Sequence, residues 1–180
     1  NTGQTCVCAN RIYVHESVYD EFSTKLKVAV EAMVIGDGLK GDTQQGPLIN
    51  MAAVDKVEDH IKDAVSKGAT IITGGKRSDL GGTFFEPTIL ANVTKEMAVA
   101  RDETFGPLAP LFKFSSDEDV IQQANDTEFG LACYFYSRDI GRVWRVAEAL
   151  EYGIVGIDTG IISTEVAPFG GHVSTERCIR

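Results

Sequence analysis

Residues 11–33 read RIYVHESVYDEFSTKLKVAVEAM, and two periodicities follow one another within them. Arg11-Ile12-Tyr13-Val14-His15 is rich in β-branched and aromatic residues, which predicts a strand. From Ser17 the pattern changes. Val18, Phe22, Leu26, Ala29 and Met33 recur at helical spacing, with Ser17 as the expected N-cap and Asp20 behind it. Gly36-Asp37-Gly38 stops that helix, and a loop runs on through Gly46-Pro47.

The strand–helix unit recurs along the chain. A second helix is expected from about Met51 to Ser66, with Val54, Val57, Ile61 and Val65 on its apolar face and Gly68 as its stop. Ala69–Thr73 is a short strand closed by Gly74-Gly75, and Phe84–Leu90 is a strand that contains Pro87. Leu108–Phe114 is extended and apolar. A helix capped by Ser116 carries Val120, Ile121 and Ala124, and a strand follows at about Leu131 to Tyr136. Asp139 opens a last helix, with Ile140, Val143, Ala147 and Leu150 expected inward and Trp144 in the core, before the strand Ile154–Ile157. Strands separated by helices imply right-handed crossovers. The fold class is α/β: an open, mainly parallel twisted sheet with helices on both faces.

The chain has 180 residues, 43% of them hydrophobic, enough for a sizeable core in one domain over residues 1–171. Seventeen Lys and Arg stand against 26 Asp and Glu, a formal charge of −9, so no electrostatic footprint for a nucleic acid exists. The acids are scattered along helical stretches, as on solvated faces. No apolar run approaches a membrane span and no signal peptide is visible. Four cysteines, two of them one residue apart, make no secreted disulfide framework. A reducing compartment is expected: the cytoplasm, or the mitochondrial matrix in a eukaryote. His15, at a strand end, and His60, on the expected polar face of the second helix, lack metal-ligand spacing.

Asn1-Thr2-Gly3-Gln4-Thr5-Cys6-Val7-Cys8 carries the reactive chemistry. A small-residue turn after Gly3, with polar Thr2, Gln4 and Thr5, suits a surface thiolate better than a core. On the residues alone, Cys6 is a nucleophile or one of two inert thiols. Cys8 is a possible redox partner of Cys6, since cysteines one residue apart on an extended segment point the same way, or it packs inside. Cys133, within a strand, is expected to be inert.

Asn1–Cys6 resembles the active-site cysteine motif of the aldehyde dehydrogenase superfamily. Glu103-Thr104-Phe105-Gly106-Pro107 is similar to that family's second signature and Pro168-Phe169-Gly170-Gly171 to its third, in the family's order. Cys6-Val7-Cys8, Phe105–Pro110 and Gly160-Ile161-Ile162-Ser163 are most similar to its succinate-semialdehyde branch. The resemblance implies that Cys6 attacks a small-molecule aldehyde and that hydride passes to NAD or NADP. It implies further that Glu103 accepts hydrogen bonds from the nicotinamide ribose and that Phe105 packs near the nicotinamide. Ser163 would help hold the distal carboxylate of the substrate, and Phe169 would line the aldehyde channel. The family's oxyanion asparagine, its glutamate general base and its dinucleotide-binding domain would precede Asn1. The parent enzyme would be a homo-oligomer, with no metal.

Each position also has a plainer reading: a surface acid for Glu103, a core anchor for Phe105 or Phe169, a turn hydroxyl for Ser163. Two departures stand out. Asp158 occupies a place where the family has asparagine, and residues 172–180, including His172, form a divergent polar tail. Three functional readings follow: an NAD(P)-dependent aldehyde dehydrogenase, an inactive fragment that associates with full-length subunits, or an independent thiol protein using Cys6 and Cys8.

Overall fold

The computed structural model describes residues 2–171; the tail 172–180 lies outside the described residues. The chain forms two compact units, divided between Phe114 and Ser115 within the span read from sequence as one domain. In the first, β1 (Ile12–His15), α1 (Tyr19–Glu31), α2 (Met51–Ser66), β2 (Thr70–Thr73), β3 (Thr88–Ala91), α3 (Ala98–Arg101) and β4 (Leu108–Phe114) follow in order. Their four strands form one sheet, ordered β1-β4-β3-β2. β1 and β3 both run parallel to β4, and only the edge strand β2 is antiparallel to its neighbour, β3. The second unit holds α4 (Asp117–Asn125), β5 (Ala132–Phe135), α5 (Ile140–Ala149) and β6 (Ile154–Ile157), with β5 and β6 parallel.

Alternation along the central strands divides the first unit's core in two. Ile89, Leu111 and Val14 face α1, where Tyr19, Leu26 and Val30 cover them. Leu90, Leu108 and Phe112 face the other way, onto Val54, Val57, Ile61 and Ala64 of α2. Successive residues of a strand point to opposite faces, so a strand buried on both sides reads as a continuous apolar run. Thr88–Ala91 is such a run, buried at every position. It starts one residue after Pro87 because proline has no N–H for the ladder, whereas Thr88 N–H donates to Pro107 O at 2.9 Å.

Helix boundaries follow their caps. Asn50, Ser116 and Asp139 each accept a backbone N–H from the first turn, of Ala53, Asp119 and Arg142 respectively. Ser17 does not cap α1. A short 3-10 turn, Glu16–Val18, intervenes, and the Ser17 N–H donates to His15 Nδ1. The buried face of α1 also differs from expectation: Tyr19 and Ser23 are buried, while Val18 and Phe22 are exposed. The Tyr19 hydroxyl donates to Leu111 O at 3.2 Å and accepts the Asn92 N–H at 3.0 Å, and those bonds fix the helix's rotation.

Similar rotations correct three further expectations. Ala64, not Val65, completes the apolar face of α2, and Val65 is 44% exposed. Val146 is the buried residue of α5, while Ile140 and Trp144 are 72% and 65% exposed. His60, expected on a polar face, is buried at 6% exposure. Among the described residues, no helix is long and apolar enough to cross a membrane.

Because Asn50 satisfies an N–H that the start of α2 would otherwise leave unpaired, Asn50→Ala should lower stability by about 1 kcal/mol and Asn50→Gly by only a few tenths. Urea unfolding followed by circular dichroism measures both.

Candidate functional site

The segment around Cys6 is a turn, not the extended stretch expected: Cys8 N–H donates to Thr5 O at 2.8 Å. Cys6 is exposed on this turn and Cys8 is half-buried; both thiols are free. The turn is pinned at both ends by side-chain amides. Gln4 Nε2 donates to Pro47 O at 3.2 Å, and Gln4 Oε1 accepts the Ile49 N–H at 3.1 Å. Asn10 Nδ2 donates to Asp102 O at 3.3 Å, and Asn10 Oδ1 accepts the Thr104 N–H at 2.9 Å. An amide can do both at once because it carries a donor and an acceptor.

Asn10 thereby joins the cysteine turn to the Glu103–Pro107 turn. Gly3, at φ +80°, brings the two backbones closer still: a Cβ there would sit 1.9 Å from Gly106 O. Gly106 in turn lies against α2, where a Cβ would come within 2.5 Å of Val57 Cγ2. Only glycine fits either place. Between them Phe105 is held at φ +54°, a left-handed conformation unusual for a bulky residue, with its ring 39% exposed.

Gly3, Cys8, Asn10, Glu103 and Phe105 line a small cleft. The Glu103 carboxylate is half-buried there, and burial raises its pKa while Lys56 opposes the shift. Among the described residues no group hydrogen-bonds it. Two residues that sequence reasoning passed over support this site. Asn10 had no visible signal beyond its nearness to Cys6. His60 was read as lying on a polar face, and only its spacing of three from Val57 could have signalled otherwise; its Nδ1 lies 2.9 Å from Thr104 Oγ1.

Ser163 and Phe169 belong to the second unit, where the structure brings them together. Both line an open groove of about 320 Å3, floored by Ile154, Ile157 and Ile162. Ser163 is exposed, and Phe169 presents 61% of its surface. Asp158, at φ +52°, accepts the Ser137 N–H at 3.0 Å, and its own N–H donates to Phe135 O at 3.0 Å. Here the side chain acts as an acceptor, which carboxylate and amide share, and both residue types tolerate the left-handed backbone. The Asp158 loop is therefore built without needing asparagine. Cys133 lies in β5, and burial pushes its thiol up to about 12, as expected of an inert cysteine.

Glu103 sets a pH dependence. An acid whose pKa is raised on folding favours the fold while protonated, and that contribution is lost as pH rises through the folded pKa. Glu103→Gln should therefore be more stable than wild type at pH 7. The advantage should vanish below the ordinary carboxylate pKa of 4.5, as thermal melts across that range would reveal.

The chain is similar to known proteins over nearly its whole length. Residues 1–175 match the aldehyde dehydrogenase family. Over 171 residues, 95% of its length, the chain is 64% identical to glutarate-semialdehyde dehydrogenase of Pseudomonas aeruginosa. It is likewise 64% identical over 171 residues to an NADP(+) succinate-semialdehyde dehydrogenase of Escherichia coli. The crystal structure of succinate-semialdehyde dehydrogenase from Burkholderia pseudomallei superposes on 97% of the chain with a TM-score of 0.95 and 64% identity. The chain spans about 36% of that structure's length, and 35% and 36% of the two enzymes'. It belongs to the aldehyde dehydrogenase family.

Proposed function

We propose that residues 1–171 form part of the catalytic domain of an enzyme that oxidises an aldehyde bearing a distal carboxylate, succinate semialdehyde foremost, to the acid. Cys6 is the nucleophile, and NAD or NADP is the hydride acceptor. The observation that carries this reading is the joining of an exposed Cys6 turn to the Glu103 turn through Asn10 and the Gly3–Gly106 contact.

The Cys6 thiolate adds to the aldehyde carbon, forming a C–S bond and placing the carbonyl electron pair on oxygen as an oxyanion. The Cys6 backbone N–H is the donor that the family resemblance assigns to that oxyanion. A nicotinamide dinucleotide, when bound, supplies the two-electron acceptor whose reduction leaves an acyl thioester on Cys6. Water then adds to the thioester, the C–S bond breaks, and acid and thiolate are released.

The residues present fit such a dinucleotide. A half-buried carboxylate with no hydrogen-bond donor among the described residues can accept from both hydroxyls of a ribose, and Glu103 is that group. The exposed Phe105 ring beside it offers a flat apolar surface. Ser163 in the second unit's groove would donate to the distal carboxylate, with Phe169 lining the apolar part of the channel. The two relatives are named for aldehydes whose distal carboxylates sit at different chain lengths, which an open groove accommodates. Cys8 remains a possible redox partner of Cys6. A second reading is that the chain acts only by associating with full-length subunits.

Iodoacetamide at neutral pH should label Cys6 ahead of Cys8 and Cys133 on peptide mapping; first labelling of Cys8 would remove Cys6 from its role. With succinate semialdehyde and NAD or NADP in turn, absorbance from reduced nicotinamide should rise and should fall below detection in Cys6→Ala. No reduction despite a labelled Cys6 would favour the second reading. Ser163→Ala should raise KM for succinate semialdehyde about tenfold or more, the loss expected for a hydrogen bond to a charged group, and leave KM for propanal unchanged.

A further inference from the structure

The chemistry above leaves the buried, titratable His60 without a task. His60 projects from the middle of α2 into the core layer, 6% exposed, among Val57, Ile61 and Ala64. An apolar side chain would fill such a place without the cost of burying a polar ring. The ring's Nδ1 reaches out of its own helix to Thr104 Oγ1 at 2.9 Å, across 44 residues of sequence, and Thr104 is itself 3% exposed.

Thr104 stands between Glu103 and the left-handed Phe105. Its backbone N–H is held by Asn10 and its hydroxyl by His60, so one residue is gripped from the cysteine turn and from α2. One helical turn before His60, Val57 meets Gly106. Positions 57 and 60 share a helix face. α2 therefore touches the Glu103–Pro107 turn at two points that bracket Phe105. A left-handed residue persists only where its neighbours are over-determined, and these bonds supply that constraint.

We propose that His60 is a positioning residue for Glu103: its Nδ1 bond to Thr104 Oγ1 holds the 103–105 backbone so that the Glu103 carboxylate stays presented in the cleft. The task assigned to Glu103 rests on the reading under Proposed function, whereas the grip on Thr104 does not. Burial, helped by Lys56, lowers the pKa of His60, against the pull of Asp102, Asp63 and Asp59. A neutral ring can pair with a hydroxyl as either donor or acceptor.

The Thr104 amide reports the grip directly, because it is protected by its bond to Asn10. Amide hydrogen exchange on the 15N-labelled 180-residue chain would be compared for wild type, His60→Asn, His60→Gln, Thr104→Val and Thr104→Ser. The Val93 N–H, bonded to Leu111 O, is the control. An asparagine amide reproduces the place of Nδ1, while a glutamine amide reproduces that of Nε2 and is closer to histidine in volume. The expected result is Thr104 exchange faster by about tenfold or more in His60→Gln and Thr104→Val, near wild type in His60→Asn and Thr104→Ser, with Val93 unchanged in all. Glutamine equal to or better than asparagine would mean that His60 only fills space, and the proposal would fall. Thr104→Val indistinguishable from wild type would also overturn it, and that variant decides the matter should His60→Gln fail to fold. A separate NADP titration of wild type and Glu103→Gln tests the ribose reading alone: equal affinities would remove that reading while the exchange result stands.

Discussion

Gly3 meets the Gly106 backbone where a side chain on Gly3 could not fit, and Asn10 bonds across the same junction. Without that contact, Cys6 and Glu103 would sit on two unrelated surface turns. With it, the Cys6 thiol and the Glu103 carboxylate, 97 positions apart in sequence (103 against 6), share one support. The constraint is steric first and polar second. Gly3 permits the approach, and one amide with a donor and an acceptor fixes it.

The junction is held at a cost in local stability. Phe105 keeps a left-handed backbone, worth about 1–2 kcal/mol of strain for a residue with a Cβ. Glu103 is half-buried, and burial disfavours its carboxylate against the favourable charge of Lys56. Both penalties fall at the same turn, and both belong to residues that the chemistry would use. A site that is locally unfavourable for the fold and well braced from behind is the pattern expected of function carried on a stable scaffold. The bracing comes from α2, whose apolar face packs on Leu90, Leu108 and Phe112, and from the doubly covered sheet.

The second unit is lighter: two parallel strands, two helices, and a groove that opens along β6. Its loop geometry rests on local devices. Asp158 supplies an acceptor to Ser137, and Asp139 caps α5. Few of its residues are buried, and those around Ser163 and Phe169 are exposed. An exposed groove tolerates changes of side chain, whereas the Cys6–Glu103 junction cannot change without breaking its contacts.

Much of this was legible in the sequence, because local rules wrote it. The period-2 and period-3.6 runs set the elements and the caps at Ser116 and Asp139 set two helix starts, whereas the strand read as Phe84–Leu90 through Pro87 begins only at Thr88. The three motifs singled out Cys6, Glu103, Phe105 and Phe169, and the Gly160–Ser163 stretch singled out Ser163. Helix rotation was not legible. Periodicity says that a helix buries one side, but the Tyr19 hydroxyl, bonded to Leu111 and Asn92 in other strands and turns, decided which side of α1 that is. The same limit hid Trp144 on the surface and His60 in the core. The sequence by itself therefore determined most of the elements and which residues are candidates for chemistry, since both depend on neighbours within a few positions. Only the tertiary structure decided how Asn10 and His60 grip Thr104, because those bonds span 94 and 44 residues and exist only once the chain has packed.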